Sequence, residues 1–304
     1  MSPLSLLIET DIFSDVDDVG ALAIAHAHAD AGNVELLGVG VNTPSRWGVA
    51  MADLVNRHYG RPEIPVGAML PLDDSVADTD YARGTVRAFG IVDPIGAESA
   101  PQLLRRVLEA ADDASVTVVS LGFFQNLVAL LDEEPPGGLP GRDLVRRKVA
   151  RTVVMGGLFP SGTEFNVAEF PTTAGSFARR WPGRIEFLGW EVGDDVITGT
   201  ELSRTGAADD PVAEAYRRFS GPGAGRKSWD LMTVDLAVRG AADHYQYSEP
   251  GRVEVDDDGA TTWHPAPDGP HRYVTRVASA DAVAAHLDGL LARTPARRTV
   301  KVGA

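Results

Sequence analysis

The sequence predicts an α/β protein: an open, mostly parallel Rossmann-like sheet flanked by helices, with a small β-hairpin region toward the C-terminus. Two observations carry this expectation. In the first third of the chain short apolar runs alternate with helical stretches, the order that right-handed βαβ crossovers produce. The loop between the first run and the first helix is crowded with acids, and open α/β sheets bind their ligands at such strand-to-helix loops. With 304 residues and 44% hydrophobic content there is ample material for a substantial core, read as one domain over 1–304.

Taken in order, Leu4-Ser5-Leu6-Leu7-Ile8 is short and bounded by polar residues, as a buried strand is. Val19-Gly20-Ala21-Leu22-Ala23-Ile24-Ala25 is a small-residue helix. Residues 34–41 form a second strand, and residues 47–59 a helix with Val49, Ala52, Leu54 and Val55 on its apolar face. A third, short strand covers 64–67. No Gly-x-Gly-x-x-Gly follows the first strand, so a bound NAD is not expected. Residues 71–99 are polar, irregular and rich in Asp and Gly, the composition of a flexible surface segment able to close over a pocket. Ser115-Val116-Thr117-Val118-Val119-Ser120-Leu121 is a β-branched strand, followed by Gly122 and a helix from about Gln125. Residues 133–142, with two prolines and then two glycines, form a loop.

Further strands are expected over 152–157 and 184–188, and further helices over 171–180 and 211–219. Another helix opens at Ser228-Trp229-Asp230-Leu231 and runs through Val234, Leu236 and Val238. Residues 250–274 suit a β-hairpin turning at Asp256-Asp257-Asp258-Gly259. Ser279 is the N-cap of a terminal helix running to Ala292, and Arg297-Arg298-Thr299-Val300-Lys301 is a solvated basic tail.

The stretch Glu9-Thr10-Asp11-Ile12-Phe13-Ser14-Asp15-Val16-Asp17-Asp18 brings five carboxylates into ten residues. Packed so closely, they repel and raise one another's pKa unless a cation or a hydrogen-bond net holds them ionised. A hard divalent ion fits best. Ca²⁺ tolerates irregular oxygen ligation, whereas Mg²⁺ demands a stricter octahedron, so Ca²⁺ is expected first. Asp17 and Asp18 would also suit a helix N-terminus, which leaves three acids without a role. The EF-hand is excluded by spacing, since from Asp11 the third, sixth and twelfth positions are Phe13, Val16 and Leu22.

Composition narrows the partners. The chain has no cysteine, so any metal must be held by oxygen or histidine. A formal net charge of −15 disfavours a nucleic-acid partner and suits a neutral small molecule. Met1-Ser2-Pro3-Leu4 lacks a basic leader pattern and no later stretch has the length of a membrane span, so a cytoplasmic protein with no membrane partner is expected.

Several motifs share one resemblance. Glu9-x-Asp11-x-x-x-Asp15-x-Asp17-Asp18 before small apolar residues resembles the amino-terminal signature of the inosine-uridine-preferring nucleoside hydrolase family. Thr152-Val153-Val154-Met155-Gly156-Gly157 resembles that family's VMGG strand end, and Glu164-Phe165-Asn166 its EFN motif. The strand ending at Leu121-Gly122, the segment Trp190-Glu191-Val192-Gly193 and the helix start Trp229-Asp230 fall in the family's order.

The resemblance implies hydrolysis of the N-glycosidic bond of a ribonucleoside or related riboside to free base and ribose. By it, Asp11, Asp18, the Leu121 carbonyl and Asp230 would hold Ca²⁺, and Asp17 would be general base on the water that the metal holds. Asp15 would be either a further ligand or an acceptor behind the ligands. Asn42 would reach the ribose, beside the alternative that it only makes the turn before Pro44. Met155 would pack on the sugar, Glu164 and Asn166 would bond its hydroxyls, and Trp229 would lie against the base. A dimer or tetramer is also implied.

The chain departs from the pattern at Glu9, where Asp is usual, at Phe13, where Gly is usual, and at Phe123-Phe124-Gln125, where the family reads Pro-Leu-Thr. Purine-processing members often carry histidine where Trp229 stands, and tryptophan can stack on a base without protonating it. Of the seven histidines, His244 is the outside candidate for that proton, against a purely structural role. Two other readings compete. A metal-dependent nucleoside or ribose binder would keep the clamp and lose the chemistry. Asp15-Val16-Asp17-Asp18-Val19 formally fits the signature of haloacid-dehalogenase-type phosphatases, although their nucleophile sits at a strand's end and Asp15 lies several residues beyond Ile8.

Overall fold

The computed structural model describes residues 2–12, 15–73, 81–92 and 97–296. Its first half runs β1 (Leu4–Thr10), α1 (Asp17–Asp30), β2 (Val34–Val41), α2 (Arg46–His58), β3 (Val66–Ala68), α3 (Tyr81–Ala88), β4 (Glu98–Ser99), α4 (Ala100–Ala110), β5 (Val116–Ser120), α5 (Gln125–Leu131), α6 (Gly141–Lys148) and β6 (Val149–Met155). The second half runs β7 (Ser161–Thr163), α7 (Phe165–Ala168), α8 (Pro171–Arg180), β8 (Ile185–Leu188), α9 (Trp190–Gly193), β9 (Ile197–Thr198), α10 (Thr200–Thr205), α11 (Pro211–Ser220), β10 (Arg226–Lys227), α12 (Trp229–Arg239), β11 (Tyr245–Tyr247), β12 (Gly251–Val255), β13 (Ala260–Pro265), β14 (His271–Arg276) and α13 (Ala280–Leu291).

One sheet of twelve strands carries the fold, in the order β4-β3-β2-β1-β5-β6-β8-β14-β12-β13-β7, with β11 paired to β14. From β4 through β14 every neighbouring pair is parallel, and the last strands pair antiparallel. The expected hairpin forms between β12 and β13, and it is continuous with the main sheet because β14 returns to pair parallel with β8. From β1 the chain moves outward through β2, β3 and β4, then comes back to lay β5 on the other side of β1. The reversal opens a crevice at the carboxyl ends of β1 and β5, the position where such sheets bind ligands.

Alternation along β1 divides the core. Leu6 and Ile8 enter the cluster formed with Leu22 and Ile24 of α1 and Leu231 and Val234 of α12, whereas Leu7 enters that of Leu103 and Leu104 of α4 and Leu127 of α5. The same period-2 rule sends Glu9 toward α5 and Thr10 toward α1. Helix starts are marked by side-chain caps: Ser45 accepts from Trp47 N at 3.1 Å, Asp210 from Val212 N at 2.9 Å, and Ser279 from Ala282 N at 3.2 Å, the last as expected.

The segment expected to be irregular from 71 to 99 instead contains α3, with Tyr81, Ala82, Thr85 and Val86 buried, and the short strand β4. Eight residues with a glycine at their centre give too little periodicity to stand out from a loop. The loop expected over 133–142 ends two residues early, where α6 begins at Gly141. The basic tail from Arg297 and the Phe13 departure lie outside the described residues.

Candidate metal centre

Strand β1 delivers Asp11 directly past its end, and the turn that follows feeds Asp17 and Asp18 into the first turn of α1. Across the crevice α12 supplies Asp230 from its own first turn. One carboxylate oxygen from each of Asp11, Asp18 and Asp230 lies within 4.8 Å of the others, and all three residues are buried. Asp17 stands beside them, its Oδ2 accepting from the Asp230 N–H at 3.2 Å. Gly122, just after β5, makes the approach possible: a Cβ there would sit 2.6 Å from the Asp11 Cγ.

Burial is the chief cause that pushes the carboxyls of Asp17, Asp18 and Asp230 well above the ordinary range, and repulsion among the neighbouring aspartates adds to it. Thr10 Oγ1 donates to Asp18 Oδ1, while Asp18 Oδ2 is buried and has no hydrogen-bond partner among the described residues. A cation between the three carboxylates would satisfy that oxygen and relieve the repulsion. An all-oxygen donor set fits a hard divalent ion. The buried aspartate cluster can therefore hold a metal.

The other residues singled out in the sequence are arranged as follows. Asp15 does not join the three converging aspartates; Arg226 grips it, with Nε at 2.9 Å from both carboxylate oxygens. Its placement beyond Asp11, the residue that does follow the strand end, removes the geometric basis for a phosphatase nucleophile at Asp15. Leu121 ends the β5 run at the crevice, and its carbonyl accepts from Asn166 Nδ2 at 2.9 Å. The same amide lies 3.2 Å from Met155 Sδ, so Leu121, Met155 and Asn166 meet at one spot.

Glu164 caps α7. Its Oε1 accepts from Asn166 N at 2.7 Å and its Oε2 from Gly157 N at 3.0 Å, so it aligns the Asn166 segment. Asn42 follows β2 and accepts from Phe123 N at 3.2 Å, which ties the ends of β2 and β5 together. Trp229 is largely buried, its indole N–H donating to the Trp190 carbonyl at 2.7 Å, with Arg226 and Lys227 each 5.5 Å from its ring centroid. His244 lies instead in a cluster around Asp235.

Glu9, crowded with the aspartates in sequence, stands apart from them in space. It points to the opposite face of β1, where its Oε2 accepts from Asn126 Nδ2 at 2.9 Å. Burial raises its carboxyl to about 8 against the hydrogen bonds of Asn126 and Asn42, so at neutral pH it is mostly protonated. A proton does for Glu9 what a metal would do for the aspartates. Gly40 leaves the room, since a Cβ there would lie 1.6 Å from Glu9 Oε1.

Sequence reasoning passed over Thr10, Asn126, Tyr81 and Arg226. Thr10 lay inside the quoted motif and its period-2 facing toward α1 could have revealed it. Arg226 stands 211 residues from Asp15, and Tyr81, whose hydroxyl donates to the Asp15 carbonyl, is 66 residues from it. No local pattern announces contacts of that kind.

No protein-family model and no curated protein matches the sequence. Solved structures do. The chain is similar to a plant nucleoside hydrolase, the PpNRh1 enzyme, with a TM-score of 0.71 and 20% identity over 95% of this chain and 99% of that one. It is similar to the inosine-uridine preferring nucleoside hydrolase from Bacillus anthracis, with a TM-score of 0.69 and 19% identity over 95% and 99%. The type III effector protein XopQ, complexed with adenosine diphosphate ribose, matches with a TM-score of 0.69 and 17% identity over 95% and 92%. The chain has the nucleoside hydrolase fold.

Proposed function

We propose that this protein is a calcium-dependent N-glycosyl hydrolase that cleaves a ribonucleoside, or a related riboside, to free base and ribose. The convergence of Asp11, Asp18 and Asp230 with Asp17 beside them, at the switch point of the sheet, carries the reading. Asp11, Asp18, Asp230 and the Leu121 carbonyl would hold the ion. Calcium, when bound, supplies charge that orients the attacking water and the 2′ and 3′ hydroxyls of the ribose.

The chain's own residues then do the rest. Water oxygen bonds to C1′ as the C1′–N bond breaks toward the base, and Asp17 takes the proton that the water loses. Asn166 gives up its bond to the Leu121 carbonyl and turns to the sugar hydroxyls, while Glu164 holds its backbone in place. Phe123, packed against Phe165 and Phe170 with ring centroids 5.8 and 5.0 Å away, supplies an aromatic wall after β5. No group in this set protonates the departing base, which favours substrates with a good leaving base.

The test is reducing-sugar release from a panel of purine, pyrimidine and modified nucleosides, with Ca²⁺ and with a chelator, for the native protein and Asp17→Asn. Release that needs Ca²⁺ and falls by about three orders of magnitude or more in the variant supports the hydrolase. A second reading, a Ca²⁺-dependent nucleoside or ribose binder, draws support from Trp229, whose N–H is committed to the Trp190 carbonyl and whose ring has no proton to give. It predicts no release, and an affinity that Asp17→Asn leaves intact.

A further inference from the structure

A second cluster of metal-ligand types lies on the far part of α12. Asp235, His244 and His286 each offer one donor atom, and these atoms lie within 4.8 Å of one another. His286 Nε2 is 2.9 Å from Asp235 Oδ1, and His244 Nδ1 is 3.8 Å from Asp235 Oδ2. Around a tetrahedral ion with Zn–N of about 2.0–2.1 Å, neighbouring donors stand roughly 3.4 Å apart, so these spacings need little adjustment.

Two independent observations point into the same spot. His28, on α1, is 4% exposed, and neither ring nitrogen has a hydrogen-bond partner among the described residues. Its Nε2 lies 3.6 Å from Asp235 Oδ1, too long for a hydrogen bond, so it backs the carboxylate from outside the three converging donors. Arg239 Nη1 lies against all three donors, 3.3 Å from Asp235 Oδ2, 3.5 Å from His244 Nδ1 and 3.1 Å from His286 Nε2. A positive nitrogen thus already stands beside them. The arrangement also makes incompatible demands on His286 Nε2, which faces an acceptor in Asp235 and a donor in Arg239 and cannot serve both.

We propose that Asp235, His244 and His286 form a second metal site, for a borderline divalent ion such as Zn²⁺, that pins α12 and α13 together, with water completing the ion's shell. Two imidazoles and one carboxylate are a donor set of zinc and its neighbours and are foreign to Ca²⁺, so the two centres sort their ions by chemistry. Arg239 and His286 are each 29% exposed at the side chain, which gives the arginine a way out and the ion a way in.

The experiment is calorimetric titration of the metal-free protein with Zn²⁺ in saturating Ca²⁺, so that the acidic centre is filled. One Zn²⁺ per chain is expected, with affinity falling by about tenfold or more in His244→Gln and in His286→Gln and rising in Arg239→Gln, where the competing cation is gone. Co²⁺ titrated into the native protein should give the intense visible bands of a tetrahedral nitrogen and oxygen site, a readout that needs no substitution. Zinc uptake unchanged in both histidine variants, absence of uptake even in Arg239→Gln, or only the weak bands of octahedral Co²⁺ would each overturn the proposal.

Discussion

Arg226 grips Asp15 across 211 residues of sequence, its Nε equidistant at 2.9 Å from the two carboxylate oxygens. The pair closes the acidic loop against the strand that precedes α12, and it neutralises an aspartate that stands outside the converging set. Burial and Asp15 both raise the Asp17 carboxyl, and Arg226 opposes them. Arg226→Gln should therefore move the acid limb of the kcat/KM profile to higher pH, because Asp17 must lose its proton to act as base. Arg226→Lys keeps the charge and should return the limb toward its original position. Profiles of the three proteins on one nucleoside check this.

Asp230 predicts an inversion. Without metal, its buried carboxyl adds to the repulsion with Asp17, Asp18 and Asp11. Asp230→Asn should leave the metal-free protein as stable as the native one or more so, while abolishing its response to Ca²⁺. In the native protein Ca²⁺ at a hundredfold its Kd should add about 2.7 kcal/mol, and a chelator should remove it. Thermal melts with Ca²⁺ and with chelator decide the matter; a variant still stabilised by Ca²⁺ would place the ion elsewhere.

Glu9 makes the pH dependence of stability testable. Its carboxyl moves from an ordinary 4.5 to about 8 on folding, so between those values the folded state holds a proton that the unfolded chain has lost. Stability from this group is present in full below pH 4.5 and drains away as the pH rises through 8. At about 1.36 kcal/mol per pH unit the loss is on the order of 5 kcal/mol. Glu9→Gln copies the protonated form, and denaturant unfolding should show the gap between variant and native protein widening from pH 5 to pH 8.

Gly122 is the closest approach in the centre. An added methyl would stand 2.5 Å from the Asp11 Cβ, and the backbone of β1 leaves that aspartate little room to retreat. Gly122→Ala should cost about tenfold or more in Ca²⁺ affinity by calorimetry, with the circular dichroism spectrum unchanged.

How much of this could be read from residues alone depends on distance along the chain. β2 was legible to the residue, since Val34–Val41 is rich in Val and Leu and lies between Gly32-Asn33 and Asn42-Thr43-Pro44, and so was α8, opened by Pro171 and closed before Trp181. The acidic centre was legible because Asp11, Asp17 and Asp18 lie in one loop and Asp230 repeats a recognisable helix start. Glu9 was counted with the crowded acids, but the alternation of β1 turns it to the other face of the sheet, against Asn126. Helix α4 went unremarked although Ala100, Leu103, Leu104 and Leu108 mark its buried side. The partners of Asp15, by contrast, had no local signature: Arg226 and Tyr81 come to it only through the packing of β10 and α3.

The strand order has a consequence for synthesis. β1 through β6 can assemble before the rest is made, but β8 acquires its far neighbour only when β14, synthesised well after it, returns beside it. Asp230 is likewise made long after Asp11 and Asp18, so a nascent chain carries those two without the third arm of the cluster. The aspartate centre is thus complete only once α12 has been made and has packed against α1.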